Sequence, residues 1–528
     1  MKKVSLFLAL ILALTMALPV SLAEDYTLPL TTTGESLSLS IQENFYAAAS
    51  YADNLIVYQE LEKRTGVPIE WDVVQNYDEV MNIRFASGEK LADIVQLPGW
   101  STNDPVKFAE AGKIIALDEL IEQYAPNIKK LMEDLPELAA EMTSYDGHIY
   151  FIPQNLYGLN YHAPYSLVIR QDWLDKLELE TPKTLDDWYN VLKAFKEKDP
   201  NGNGEADEIP FTSVTAGLSW TNAYGYFASG FGLTAPVTGT RYWYDENGKL
   251  YDQYQTEEFK EWISWISKLY DEGLIDPAFS RSSGDLQAMH LEDRIGATAF
   301  YADDIASWQS VCHANGHDYV QFTILETPPT PEGKPATHVM RQLAGGRYSI
   351  STWCENPVLA IQWIDYHYAH PEGQVLMMFG MEGTHWYWDE NGVRQWTEYV
   401  SNNAEGLSQF NVLRKDGANP AQFTNRTEEF GRMCVPDWIY AQCAPIQANL
   451  VNPIPTLPAT PDEIDDMSII DTDLATYTSE TVLAFLQGNG DVEEEWDSYI
   501  ATMKGIGADE LLAMKQVQYD RMNGVEAE

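Results

Sequence analysis

Apolar positions along this chain alternate between helical spacing and short unbroken runs. A helix begins at Asp53, carries Leu55, Tyr58 and Leu61 on one face to Arg64, and stops at Gly66. Residues 67–74, rich in β-branched side chains and holding Trp71, read as a strand. A second helix covers 77–87 and is closed by Gly88, and 92–97 is a short apolar run of the kind that forms a buried parallel strand. Strand, helix and strand with such short links make a right-handed crossover. Parallel sheets take ligands beyond the carboxyl ends of their strands, which places 96–100 at a ligand edge.

The pattern continues with helices at 106–111 and 117–124, strands at 147–153 and 165–170, and a helix at 171–177. An amphipathic helix at 185–198 gathers Trp188, Leu192 and Phe195 on one face. Three C-terminal helices carry the stripes Ile470/Leu474/Tyr477, Val492/Trp496/Tyr499/Met503 and Leu511/Met514/Tyr519/Met522, with Gly488 and Gly505 stopping the first two. Residues 452–461 hold four prolines and read as an extended connection. The chain is therefore α/β, and 528 residues allow two or more compact units.

Charge narrows the partners. Lys plus Arg number 33 and Asp plus Glu 80, a net −47, so the surface repels nucleic acid and anionic membranes. It also disfavours a polyanionic ligand unless the binding site is locally basic or holds a metal. Aromatic residues make up 12%, with 16 Trp and 30 Tyr, enough for both a core and an aromatic-lined binding surface.

The first residues read as an export signal. Lys2 and Lys3 precede an apolar stretch at 6–18, and Ser21-Leu22-Ala23 is a small-x-small cleavage site. A signal peptide at 1–23 and an extracytoplasmic location, periplasmic or secreted, are expected. No Cys lies at the cleavage site, so no lipid anchor is expected there. Cys312, Cys354, Cys434 and Cys443 match no zinc spacing and allow three disulfide pairings.

The densest local chemistry is DPNGNGEADE at 199–208. Asp199, Asn201, Asn203 and Asp207 put oxygens at loop positions 1, 3, 5 and 9, and Gly204 stands at position 6, where the loop must turn sharply. The Glu205 carbonyl falls at position 7. Pro210 occupies position 12, where a bidentate Glu usually stands, and Glu208 at position 10 is its replacement. A strand-like stretch follows instead of a helix. A structural Ca²⁺ held by Asp199, Asn201, Asn203, Glu205, Asp207 and Glu208 is expected. A plain Asn-Gly turn without an ion is the alternative.

Several blocks together resemble the large oligosaccharide-binding members of the type-1 extracellular solute-binding proteins, relatives of maltose-binding protein and of the LplA-type lipoproteins. They include LEKRTGVPIEWDVV, ASGEKLADIV, AGKIIALDELIEQYAPNIKKL, DGHIYFIPQ, the stretch from VIRQDWLDKLELE to KEKDPNGNGEADEIP, LYDEGLIDPAF, ENPVLAIQWIDYHYAHPEGQVLMMFGMEG and EEEWDSYIATMKGIGADELL. They run in family order along almost the whole chain after the signal. The resemblance implies a two-lobed type II periplasmic-binding-protein-like fold, each lobe a mostly parallel sheet flanked by helices. It implies a monomer that is no enzyme, closes on a carbohydrate between its lobes and presents it to ABC permease subunits.

Carried onto this chain, the first lobe takes 24–155 and 302–353 and the second 156–301 and 354–528. Hinges then fall near 155–161, 301–304 and 352–356. Sugars need aromatic faces beside planar hydrogen-bonding groups. The resemblance points to Trp100 after the ADIV strand and to Trp220 and Tyr224 in SVTAGLSWTNAYGYF. It further points to Tyr301, Asp303 and Trp308 past IGATAF, to Trp386 and Tyr387 after FGMEG, to Gln154 and Asn155 at the first crossing, and to Arg341 with Gln342 in an edge segment. Trp173, Trp188, Trp262, Trp265, Trp363 and Trp496 lie on predicted helices and read as core. The residues alone leave open a peptide receptor and a secreted carbohydrate-active enzyme, since 80 acids guarantee a chance carboxyl pair.

Overall fold

The computed structural model describes residues 26–42, 55–98, 105–157, 165–219, 221–339, 344–402, 409–418, 424–451, 453–454, 457 and 459–525. The expected signal segment at 1–23 lies outside them. Apolar burial divides the chain into two separate cores. One gathers side chains from Leu37 to Ile152 and again from Tyr348 to Phe430. The other gathers Tyr165 to Ile324 and Val435 to Leu511.

Each core backs a mixed sheet. The first sheet runs in the order Thr424–Arg426, Ile152–Tyr157, Ala344–Ile350, Ile94–Gln96, Leu37–Gln42, Ile69–Val74. Three of its five pairings are parallel, and Ala344–Ile350 is antiparallel to both neighbours. The second runs Phe322–Leu325, Tyr165–Arg170, Ile295–Tyr301, Ile209–Ser213, Ile275–Ser280. Its last three strands are mutually parallel and Tyr165–Arg170 is antiparallel to both neighbours. The sheets are thus less parallel than expected, because strands that arrive from the other lobe enter against the crossover strands.

Local chemistry accounts for the helices that cover these sheets. Leu185–Glu197 opens on a capping box: the Thr184 hydroxyl accepts from Asp187 N at 3.2 Å, and the Asp187 carboxylate accepts from Thr184 N at 2.9 Å. Such a cap contributes about 1 kcal/mol. Its apolar stripe buries Trp188, Leu192 and Phe195 completely. Trp173, Trp262, Trp363 and Trp496 are buried as well, and Trp265 packs partly buried beside them.

The lobe boundaries differ from those expected. Tyr301 does not leave its lobe: helix Ala302–Ala314 follows at once and packs Ile305, Trp308 and Cys312 into the second core, and Phe322–Leu325 pairs with Tyr165–Arg170. Residues 352–356 are no passage either, because helices Pro357–Tyr368 and Pro371–Phe379 bury their stripes in the first core. The described chain leaves the first core after Tyr157 and enters the second at Tyr165, leaves the second after Val339 and rejoins the first at Ala344, and passes again at Cys434–Val435. None of the four cysteines is joined in a disulfide; Cys312 and Cys443 are buried, Cys354 and Cys434 half-buried. No helix among the described residues is long and apolar enough to cross a membrane.

A candidate ligand cleft and a candidate cation loop

The first passage leaves the carboxyl end of Ile152–Tyr157 and enters the amino end of Tyr165–Arg170. It therefore joins the edge of the first sheet that carries Gln42 and Gln96 to the edge of the second that carries Tyr301. At the first edge the Gln96 amide oxygen accepts from Gln42 N at 3.0 Å, and the Tyr77 hydroxyl donates to Gln96 O at 2.7 Å. The first bond ties two neighbouring strand ends, and the second ties the start of helix Tyr77–Ala86 to one of them. Gln154 is fully buried at this edge, and neither its Oε1 nor its Nε2 has a partner among the described residues. Leaving such an amide unpaired costs about 1–3 kcal/mol, a penalty most often found where a group waits for a ligand or water.

At the second edge the tyrosines form a nest. Tyr301 and Tyr165 face each other across the strand pair, ring centroids 5.1 Å apart and edge-on. Tyr165 stacks on Tyr226 at 5.6 Å, and Tyr226 meets His338 at 5.3 Å, just before the second passage. The Tyr165 hydroxyl donates to Thr221 O at 2.9 Å, fixing the backbone next to Trp220. Burial pushes His338 down to about 4, so it is a neutral wall of the nest. Burial also raises Tyr165 and Tyr226 well above their ordinary value, so both stay protonated donors.

The predicted site residues fall into three groups. Tyr301 and Gln154 stand at the facing edges. Trp100, Trp220, Arg341 and Gln342 lie outside the described residues, as do the side chains of Asn155 and Asp303. The remaining rings sit elsewhere. Tyr224 is wholly buried between Phe211 and Phe279 and gives its hydroxyl to Phe279 O, so it is core. Trp308 lies beneath the sheet, 4.4 Å from Phe300 and 5.3 Å from His290, and is 5% exposed. Trp386 donates from Nε1 to Gly380 O at 3.0 Å under the Arg394 guanidinium, 4.4 Å from its ring. A covered ring cannot face a sugar, and these three are withdrawn as platforms. Tyr387 is exposed on the hairpin formed by Trp386–Trp388 and Arg394–Trp396. Sequence reading missed Tyr165 and Tyr226; the first began a strand and the second sat among Tyr224, Gly225 and Phe227, so neither carried a periodic signal.

Among the described residues an ion pair spans the cores: Lys107 Nζ lies 2.6 Å from Asp465 Oδ1, joining helix Pro105–Glu110 to helix Pro461–Leu486.

The loop at 199–208 is a chain of side-chain-capped turns. Asp199 adopts φ +48° and accepts from Gly202 N at 2.8 Å and Gly204 N at 3.1 Å. Asn201 Oδ1 accepts from Asn203 N at 3.0 Å, and Asn203 Oδ1 from Glu205 N at 2.7 Å. The Asn201 and Asn203 amides donate to Asp207 Oδ1 at 3.2 and 3.1 Å. Glu208 Oε1 is buried without a partner among the described residues, and burial, then the charges of Asp199 and Asp207, hold its carboxyl above the ordinary range. Two cations border the loop: Lys176 Nζ donates to Pro200 O at 2.7 Å, and Arg294 Nε is 3.3 Å from Asp207 Oδ2. Among the described residues no group of three or more His, Cys, Asp or Glu forms a metal cluster. An EF-type loop does not need one, because amide and carbonyl oxygens supply half of its donors. All-oxygen donors and crowded carboxylates with an orphaned oxygen fit a hard divalent cation.

Comparison with known proteins gives the same picture. Residues 42–375 match a family described as bacterial extracellular solute-binding protein. The fructooligosaccharide ABC transporter substrate-binding protein FusA of Streptococcus pneumoniae serotype 4 (strain ATCC BAA-334 / TIGR4) is 30% identical over 497 residues, covering 88% of this chain and 87% of its own. The structure of S. pneumoniae FusA in complex with kestose matches with a TM-score of 0.73 at 26% identity, covering 93% of this chain and all 100% of that one. An EF-hand mutant of FusA in complex with fructo-nystose matches equally, with a TM-score of 0.73. The alginate-binding protein AlgQ2, in a crystal structure without calcium ion, has a TM-score of 0.76 at 24% identity over 94% of this chain and 100% of its own.

Proposed function

This chain belongs to the bacterial extracellular solute-binding proteins, and from that premise we propose that it captures an oligosaccharide between its two lobes outside the cytoplasm and hands it unchanged to an ABC permease. The observation that carries the reading is the pairing of edges: on one side the buried Gln154 amide, without a partner among the described residues, and on the other the half-buried Tyr301 ring, held in place by the buried Tyr165 and Tyr226. A planar amide and an accessible aromatic ring are what a sugar with hydroxyl rims and C–H faces requires. The fructooligosaccharide specificity of FusA supports the ligand class. Trp100, Asn155, Trp220, Asp303 and Arg341 complete the proposed site, and exposed Tyr387 stays a candidate at its margin. The protein acts as a binding protein and not an enzyme, as a monomer, and reaches its location through the signal at 1–23.

Asp199, Asn201, Asn203, Asp207, Glu208 and the Glu205 carbonyl hold a Ca²⁺ in this reading. When bound, the ion supplies positive charge to crowded carboxylates and takes no part in chemistry. The loop leads directly into Ile209–Ser213, and Arg294 into Ile295–Tyr301, so the residues around the ion fasten the starts of two strands that end at the cleft.

The test is a thermal-shift and calorimetric panel of neutral and acidic oligosaccharides, with mass spectrometry of the ligand recovered afterwards. Stoichiometric binding with unchanged ligand mass is expected. Binding of none of the panel, or recovery of cleaved sugar, overturns the proposal.

A further inference from the structure

We infer that Arg281 forms an outer subsite of the cleft, a fixed guanidinium that receives two neighbouring oxygens of a saccharide ring. This rests on the oligosaccharide reading above and extends it to a residue that no sequence motif marked.

Strand Ile275–Ser280 is the edge strand of the second sheet, and it does not run straight. Phe211 pairs with Ile275, but Ser213 pairs with Ser280, so 276–279 bulge opposite Thr212. The bulge is heavily built. Asp276, fully buried, accepts from Thr212 Oγ1 at 3.0 Å, Ala278 N at 2.9 Å, and Arg281 Nε and Nη2 at 2.7 and 2.9 Å. Phe279 is held at φ +64°, a left-handed conformation that a bulky residue rarely adopts. The buried Tyr224 hydroxyl secures its carbonyl, and Tyr224 O in turn takes the Trp262 Nε1 proton at 3.1 Å. Arg281 N then closes onto Ser213 O at 2.8 Å.

All of this converges on one side chain. Arg281 uses one edge of its fork on Asp276, its side chain remains 33% exposed, and Nη1 has no hydrogen-bond partner among the described residues. Strained backbone that the surroundings over-determine clusters at ligand clamps. Merely ending an edge strand does not require a four-donor buried carboxylate, a left-handed phenylalanine and a buried tyrosine hydroxyl. The position is also right: Arg281 stands at the carboxyl ends of the three parallel strands, the edge that carries Tyr301. Two strand spacings separate its strand from that of Tyr301, about 10 Å, a gap bridged by a ligand of more than one ring. A planar fork suits adjacent oxygens, either the vicinal hydroxyls of a neutral sugar or the carboxylate of an acidic one.

The experiment is calorimetric titration of wild type, Arg281→Lys, Arg281→Ala and Tyr224→Phe. The ligands are sucrose, kestose, nystose, raffinose, stachyose, digalacturonate and trigalacturonate. Lysine keeps the charge beside Asp276 but lacks the second edge of the fork, so it separates recognition from folding. The expected result is at least a tenfold loss for the tri- and tetrasaccharides that wild type binds, in both Arg281 variants. Disaccharides of the same series should change by less than threefold, and the ligand-free melting temperature of Arg281→Lys should match wild type. Tyr224→Phe should weaken the longer ligands in the same direction by a smaller factor. Losses among the neutral sugars identify a diol, and losses among the galacturonates a carboxylate. Arg281→Lys within twofold of wild type for every ligand overturns the inference while leaving the oligosaccharide reading intact, and so does an equal loss at every chain length. Failure of wild type to bind any of the seven removes the reading and the inference together.

Discussion

Asp365 offers the sharpest test of the energetics of the first lobe. It sits fully buried on helix Pro357–Tyr368 and accepts from Ile128 N at 2.7 Å through Oδ1, and from Tyr26 OH at 2.8 Å and Asn127 Nδ2 at 2.6 Å through Oδ2. Burial outweighs these three donors and pushes its carboxyl from 3.8 up to about 6. A raised carboxylate means that the folded state holds the proton more tightly than the unfolded chain. Stability from this group is therefore complete below about pH 4 and is lost as pH rises through about 6. Roughly two pKa units correspond to about 3 kcal/mol. Asp365→Asn cannot titrate, so its stability lacks this component. Its misdirected Nδ2 adds an offset that does not vary with pH. Urea denaturation of both proteins from pH 3.5 to 7.5 isolates the effect from the many other acids, because only the difference curve is read. That difference, wild type minus variant, should fall by about 3 kcal/mol between pH 4 and 7. A flat curve, or one that rises with pH, refutes the reasoning.

Three further outcomes follow from the same structure. Calcium at about one hundred times its dissociation constant should add about 2.7 kcal/mol to the second lobe, a rise of roughly 5–10 °C in Tm. Chelator should abolish that rise, and Asp199→Ala should be insensitive to both. Trp100→Ala and Trp220→Ala should weaken saccharide binding tenfold or more with Tm unchanged. Trp386→Ala, which empties a buried site, should instead cost about 3–5 kcal/mol of stability, read by urea denaturation. The exposed Lys107–Asp465 pair is worth about 1 kcal/mol at most. Lys107→Glu should lower ligand affinity a few-fold at low salt, with recovery in the Lys107→Glu/Asp465→Lys double variant and disappearance of the effect at high ionic strength.

What the sequence disclosed was local. Helix 185–198 is present as Leu185–Glu197 because its cap, stripe and stop are adjacent in the chain, and 165–170 is present as Tyr165–Arg170 for the same reason. The third C-terminal stripe belongs to Ala508–Met522, and Gly507 rather than Gly505 ends the helix before it. The cation loop was legible because its donors are spaced within ten residues. Lobe membership was not. Helix Ala302–Ala314 has the same apolar period whichever sheet it covers, and only the pairing of Phe322–Leu325 with Tyr165–Arg170 keeps it in the second lobe. The site was half legible. Strand-end positions such as Tyr301 follow from topology, but Tyr224 and Tyr226 lie on the 3-10 helix Ala223–Phe231, where burial on all sides erases any face. Arg281 did leave a trace: a cation directly after a strand, before the helix cap Ser282, with an acid five residues upstream.

Closure of the two cores around a ligand is most directly tested by small-angle X-ray scattering of the calcium-loaded protein, with and without a saturating oligosaccharide found in the binding panel. The structure predicts a smaller radius of gyration with ligand and a return to the starting value when the sugar is dialysed away. Identical scattering curves at demonstrated saturation would contradict a clamp between lobes.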